Sequence, residues 1–168
     1  MLGVILKTLL ILTLGIVFFQ DMKERQVYWF LFPVIGILGG ILFYKNTLSE
    51  LFMMAILLNT LFILLILTVV FTYVFLKFKT SLFKTIGLGD MLLFIVLSLS
   101  FSTISFIILF VSSLVFSLLL HLILKKKNKT PTVPLAGYMS LFFILTYVSY
   151  WTGIIDSVYI IWFIWKRT

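Results

Sequence analysis

The 168-residue sequence contains no cysteine and a single histidine, His121. Disulfides and thiolate metal sites are therefore excluded, and a histidine-based metal centre has too few ligands. We expect neither a metal nor another cofactor. Charge is also scarce, because only 11% of the residues are Asp, Glu, Lys or Arg while 63% are apolar. A chain of this composition is not a soluble domain.

Long apolar runs dominate what is present, and a bilayer core accommodates about 20 helical residues. As one helix, the run from Met91 to Leu124 would be about 51 Å long, against a core of roughly 30 Å, so we predict a break near Ser98–Ser105 that gives two short spans. The predicted fold is all-α, one polytopic membrane domain over residues 1–168 with about six transmembrane helices. The tail from Tyr159 suits an interfacial segment or a seventh short helix. The other predicted spans are Leu2–Gln20, Val27–Phe43, Leu51–Leu76 and a region starting at Tyr138.

Two of these runs contain residues that predict how the helices pack. The second run holds Pro33 and three glycines, Gly36, Gly39 and Gly40. This pattern predicts a kinked helix with a small-residue face for close packing. The third run contains Asn59, which we expect to form a hydrogen bond to another helix.

The basic residues predict the orientation of the chain in the membrane. Cytoplasmic loops carry an excess of Lys and Arg. The second loop has only Lys45, whereas the first, third and fifth loops together hold nine basic residues: Lys23, Arg25, Lys77, Lys79, Lys84, Lys125, Lys126, Lys127 and Lys129. We therefore expect the N-terminus outside and the odd loops at the cytoplasmic face of the inner (plasma) membrane. Because membrane topology and anionic lipid explain the net charge of +8, no nucleic-acid partner is expected.

Asp90 and Asp21 are acids next to apolar runs that this topology brings to one membrane face, which Glu24 in the first loop also shares. An acid beside a transmembrane segment is by default a functional hypothesis that needs a partner. Asp90 opens the fourth apolar run, and Asp21 follows the first. The topology instead places Glu50 and Asp156 toward the outer side.

Two adjacent carboxyl groups predict one kind of chemistry. Like charges in contact cannot both ionise, so the pair shares one proton. One acid then takes a proton from water while the other donates to a peptide carbonyl, which hydrolyses a peptide without metal or covalent intermediate. We expect Gly87 and Gly89 to adopt backbone angles closed to other residues and to let a substrate strand approach. Helix-end dipoles predict Asp90 as the base and Asp21 as the donor.

Three motifs, in order along nearly the whole chain, resemble the type IV prepilin peptidase family: Asp21–Val27, Gly87–Asp90 and Val133–Tyr138. The resemblance implies a membrane aspartyl endopeptidase with Asp21 and Asp90 as catalytic residues. Such an enzyme cuts the basic leader from type IV prepilins or pseudopilins, the substrates of pilus assembly and protein secretion. Without cysteines or room for an N-terminal cytoplasmic domain, the chain resembles the short, peptidase-only form. It departs from many members at Tyr28 and Leu92, where they carry proline and lysine.

Two other functions are compatible with the same residues. A small ion-coupled transporter could bind protons or cations at Asp21 and Asp90, although such acids usually lie near the bilayer midplane within inverted repeats. A non-catalytic assembly partner would not require both acids. For Asp90 alone, helix capping is the simpler interpretation.

Overall fold

The computed structural model describes residues 1–78, 87–124 and 133–153. Within these ranges the chain is all-α, as predicted, with six helices and no strand. The described residues do not include Asp156, the tail from Tyr159, or the predicted loop lysines at 79, 84, 125–127 and 129. The helices are α1 (Leu2–Glu24), α2 (Leu31–Tyr44), α3 (Ser49–Phe78), α4 (Leu88–Leu97), α5 (Thr103–Leu124) and α6 (Leu135–Trp151).

Three of the helices, α1, α3 and α5, are long and apolar enough to cross a membrane. The other three are apolar but shorter, with 14, 10 and 17 residues. At 1.5 Å per residue, α4 is about 15 Å long, roughly half of a bilayer core. The structure therefore supports a polytopic membrane protein in which full-length and shorter helices alternate.

The run from Met91 to Leu124 is broken between Leu97 and Thr103, as predicted. The two helices are unequal rather than both short, because α5 has 22 residues. Asn59 on α3 closes the break: its Nδ2 donates to the carbonyl oxygens of Ser98, at 3.0 Å, and Phe101, at 2.9 Å. The expected interhelical hydrogen bond of Asn59 is thus confirmed, and it satisfies backbone groups that would otherwise be buried without partners.

Pro33 lies at the start of the second helix rather than inside it, where the predicted kink would need it. Pro33 is the third residue of α2, and in a first turn the missing N–H has no helical partner to lose. The small-residue face is confirmed. A Cβ atom at Gly36 would lie 3.2 Å from Cβ of Val96, and one at Gly39 would overlap Oγ of Ser100. The glycines therefore let α2 pack closely against α4 and the turn that follows it.

Helices α1 and α6 pack antiparallel along their length. Asp21 near the end of α1 meets Gly137 in the first turn of α6. At the other end, Nζ of Lys7 lies 4.9 Å from the ring centroid of Trp151. The two contacts are about 21 Å apart along each helix. This pairing brings the acid of α1 to the N-terminus of α6.

Candidate active site

Asp21 lies on the buried face of α1. Leu10, Leu14 and Val17 form an apolar stripe at helical spacing, and Asp21 continues it one turn further. The helix runs to Glu24, past the predicted end at Gln20, so Asp21 lies within it. Only 8% of Asp21 is exposed. The packing of α1 on α6 therefore turns this carboxyl group toward the protein rather than toward solvent.

Asp90 is the third residue of α4, with Gly87 at the N-cap position. The Asp90 N–H donates to the carbonyl oxygen of Gly87 at 3.1 Å. The Gly87 N–H in turn donates to the Asp90 carboxyl group, as an acid at this position does in a capping box. Asp90 therefore does cap its helix, and this role coexists with the contact described next.

The first turn of α6 brings the two acids together. The N–H of Ala136 donates to Oδ1 of Asp90 at 2.8 Å, and the N–H of Gly137 donates to Oδ2 of Asp21 at 2.6 Å. These are adjacent peptide groups, and consecutive Cα atoms are about 3.8 Å apart. Two acids far apart in sequence thus meet at one helix end, as the sequence predicted. That they are catalytic stays a prediction.

Comparison with protein-family models, curated proteins and solved structures finds no match. The function of the candidate site must therefore be inferred from the geometry and chemistry of the chain itself.

The electrostatics of Asp90 oppose the assignment made from helix ends. Asp90 lies on α4, outside the three helices that are long enough to span. Burial raises the pKa of Asp90 to about 6, and the charge of Asp21 adds to the rise, while the N–H groups of Ala136 and Gly87 oppose it. These causes favour the protonated form of Asp90, so we take Asp21 as the base in the proposed reaction. Helix-end reasoning also overlooked that α6 presents its N-terminus to Asp21.

Gly87 and Gly89 lie beside Asp90, but not for the expected conformational reason. Gly87 has φ −62° and ψ 142°, which any residue adopts, and Gly89 does not have a positive φ either. What Gly87 provides is space, since a Cβ atom there would lie 3.2 Å from Oδ2 of Asp90. Gly87 is exposed and Gly89 is half-buried. The two glycines therefore leave the approach to Asp90 free of their side chains, and Gly87 is exposed to water.

Ala136 and Gly137 lie within the Val133–Tyr138 motif, but the sequence prediction gave neither of them a role in the site. They act through backbone N–H groups, which leave no signature in side-chain chemistry. The available signal was Pro134 followed closely by two small residues at the start of an apolar run. The predicted start at Tyr138 was three residues late, because Pro134 takes the N-cap position of α6.

Among the described residues, no group of three or more His, Cys, Asp or Glu side chains is arranged to hold a metal ion. Both carboxyl groups accept hydrogen bonds from backbone N–H groups of α6. The arrangement therefore suits the holding and transfer of protons between two acids.

Proposed function

We propose that this protein is a membrane-embedded aspartyl endopeptidase that removes the basic leader from type IV prepilin-like proteins. The observation that carries the proposal is the meeting of Asp21 and Asp90 at the first turn of α6. Paired carboxyl groups that share a proton supply both the base and the acid that peptide hydrolysis requires. The resemblance of the three sequence motifs supplies the substrate class.

The proposed reaction begins with ionised Asp21 and protonated Asp90. Asp21 takes a proton from a water molecule, and the resulting hydroxide adds to the carbonyl carbon of the scissile peptide. Asp90 donates its proton to the carbonyl oxygen, which avoids a free oxyanion. The tetrahedral intermediate then collapses, the C–N bond breaks, and the leaving amine takes the proton held by Asp21. The hydroxyl proton of the intermediate returns to Asp90 as the carbonyl re-forms.

The position of the acids supports cleavage at a membrane boundary. Asp21 lies in the last turn of α1 and Asp90 in the first turn of α4. Asp90 is only half-buried at its helix end, whereas the acids of ion-coupled transporters lie near the midplane. The excess of basic residues in the odd loops favours the cytoplasmic face. On this proposal the cut falls just before the apolar helix of the substrate, and the basic leader stays inside.

The substrate segment must be extended at the cut, because helical hydrogen bonds shield a peptide bond. The resemblance implies a glycine before the bond. Such a residue extends at little steric cost and fits beside Gly87, where the enzyme also has no side chain. Replacing the substrate glycine by valine should stop processing without blocking membrane insertion of the substrate.

The deciding experiment incubates the purified protein with a prepilin and identifies the new N-terminus by mass spectrometry. We expect cleavage by the wild-type protein, and none with the valine substrate or with the Asp21→Asn protein. Cleavage of the valine substrate at the same bond and rate would contradict the proposed site. Proton flux through vesicles without any cleavage would instead identify a transporter. A wild-type protein with neither cleavage nor proton flux would fit a non-catalytic assembly partner.

A further inference from the structure

Every backbone N–H in the first turn of α6 has a hydrogen-bond acceptor. Pro134 has no N–H, and the Leu135 N–H donates to the carbonyl oxygen of Val133. The next two N–H groups are those that hold Asp90 and Asp21, and the first helical bond runs from Tyr138 N–H to Pro134. A helix leaves its first N–H groups without helical partners. In this protein the two carboxyl groups supply the missing partners.

At Gly137, α6 packs closely against α1 beside Asp21. A Cβ atom built there would lie 3.1 Å from Oδ2 and 3.2 Å from Cβ of Asp21, and 3.4 Å from the carbonyl oxygen of Phe18. The Cβ atom of Asp21 and the carbonyl oxygen of Phe18 cannot move away by a side-chain rotation. A methyl group at 137 must therefore displace the Asp21 carboxyl group or separate the two helices.

We propose that Gly137 is a positioning residue, whose missing side chain lets adjacent peptide groups of α6 fix Asp21 and Asp90 at a set separation. This inference rests on the proposed function. It gives α6, which carries neither acid, a role in that function. The carboxyl groups are held from one rigid element, so their relative position does not depend on the separate motions of α1 and α4. The positive end of the α6 dipole also acts on both groups.

The first test measures the geometry without any cleavage. The protein is labelled with ¹⁵N-glycine, and the Gly137 amide resonance is followed as pH is varied. We expect this amide to shift as the carboxyl pair titrates, and to lose its response in the Asp21→Asn variant. The Gly15 amide lies on α1, where a Cβ atom built at Gly15 would meet nothing within 4 Å, and it serves as the control that stays constant. A pH-independent Gly137 amide in the wild-type protein would overturn the proposal.

The second test compares Gly137→Ala with Gly36→Ala. The added methyl group is crowded to a similar degree at both positions, but at Gly36 it meets Val96 and Leu99, away from the acids. We expect both variants to unfold at lower temperature than the wild-type protein. Only Gly137→Ala should lower kcat, by about 100-fold, since a displacement of about 1 Å in catalytic groups costs that much. KM should be unchanged. An equal kcat in the two variants would refute a positioning role.

The two tests separate this inference from the proposed function. A Gly137 amide that follows the carboxyl pair, in a protein that cleaves no prepilin, would reject the peptidase and keep the positioning role. Cleavage by a protein whose Gly137 amide does not respond to pH would keep the peptidase and reject the positioning role. Because the amide titration uses the wild-type and Asp21→Asn proteins, it decides the proposal even if Gly137→Ala does not fold.

Discussion

At each end of α4 a side chain forms hydrogen bonds with backbone groups, as an acceptor at the N-terminus and as a donor at the C-terminal end. At its N-terminus, Asp90 accepts an N–H from α6 and stands beside Asp21. At its C-terminal end, Asn59 donates to the carbonyl oxygens of Ser98 and Phe101. In both places a polar side chain within an apolar bundle satisfies backbone groups at a helix end.

The difference between the ends is what the polar group does with protons. The amide of Asn59 does not titrate in the physiological range, and the residue is fully buried. The pKa of Asp90 is raised to about 6, and the residue is only half-buried. A hydrogen bond at a helix end is therefore not by itself a sign of function. The ability to exchange a proton with water separates the candidate active site from the structural one.

The largest expected effect comes from replacing either acid. Asp21→Asn and Asp90→Asn keep the shape and an oxygen that accepts the α6 N–H, but neither amide can exchange the proton. We expect cleavage to fall by about 1,000-fold or more, since general acid–base catalysis contributes about 10²–10⁴. The measurement is the initial rate of prepilin cleavage at equal amounts of folded protein. Glu50→Gln, at an exposed position in the first turn of α3, is the control. Wild-type rates in either acid variant would exclude the mechanism.

The second largest effect is that of pH. The pKa of Asp90 is raised to about 6, so the shared proton is lost as pH rises through that value. We expect kcat to fall by about tenfold per unit above pH 6. Folded Asp90 also holds its proton more tightly than the unfolded residue. Its contribution to stability is therefore present below pH 4 and lost as pH rises through about 6.

Asn59→Leu should leave this pH profile unchanged, because Asn59 belongs to the other end of α4. A flat rate between pH 5 and 8 would contradict the assignment of the proton to Asp90.

Asn59→Leu should instead lower stability. It leaves the carbonyl groups of Ser98 and Phe101 buried without their donor, which costs about 1–3 kcal/mol for each unsatisfied group. Thermal unfolding in detergent measures the loss, and kcat per folded molecule should not change. Asn46→Ala is the matched control, since Asn46 bonds the Leu42 carbonyl at an exposed position. Equal melting temperatures for Asn59→Leu and the wild-type protein would refute the structural role.

The smallest effect distinguishes two neighbouring glycines of α2. Gly39→Ala forces a methyl group into Oγ of Ser100, whereas a Cβ atom at Gly40 meets the Leu99 carbonyl oxygen at an ordinary 3.7 Å. We expect the first variant to lose about 1–3 kcal/mol of stability, as overpacking does. The second should change it by less than about 0.5 kcal/mol. Equal unfolding temperatures for the two variants would show that α2 is not packed against the turn as described.

Sequence reasoning predicted the features that depend on side chains. The lengths of the apolar runs predicted the helices, the excess length of one run predicted its break, and the lone polar residue Asn59 predicted a contact between helices. The expected meeting of Asp21 and Asp90 followed from topology and the shared face of the two acids.

The features that sequence reasoning missed depend on where helices begin and on backbone groups. Pro33 appeared to lie inside a helix until the start of α2 at Leu31 placed it in the first turn. That start is set by a local turn, in which Tyr28 donates to Gln20 and accepts from Leu31. The N–H donors of Ala136 and Gly137 were missed because a helical N–H is free to bind a side chain only at a helix start, and the start of α6 was predicted too late.

The Asn59 contact also has a consequence for biogenesis. Chains are made from the N-terminus, so α3 leaves the ribosome before the turn at residues 98–102, and Asn59 precedes Ser98 by 39 residues. The donor that the turn needs is therefore already in place when its carbonyl groups enter the bilayer. The reverse gene order, with α4 and α5 encoded ahead of α3, would deliver an unpaired turn into lipid. A circular permutant of that kind should consequently insert poorly even though it encodes the same final contacts.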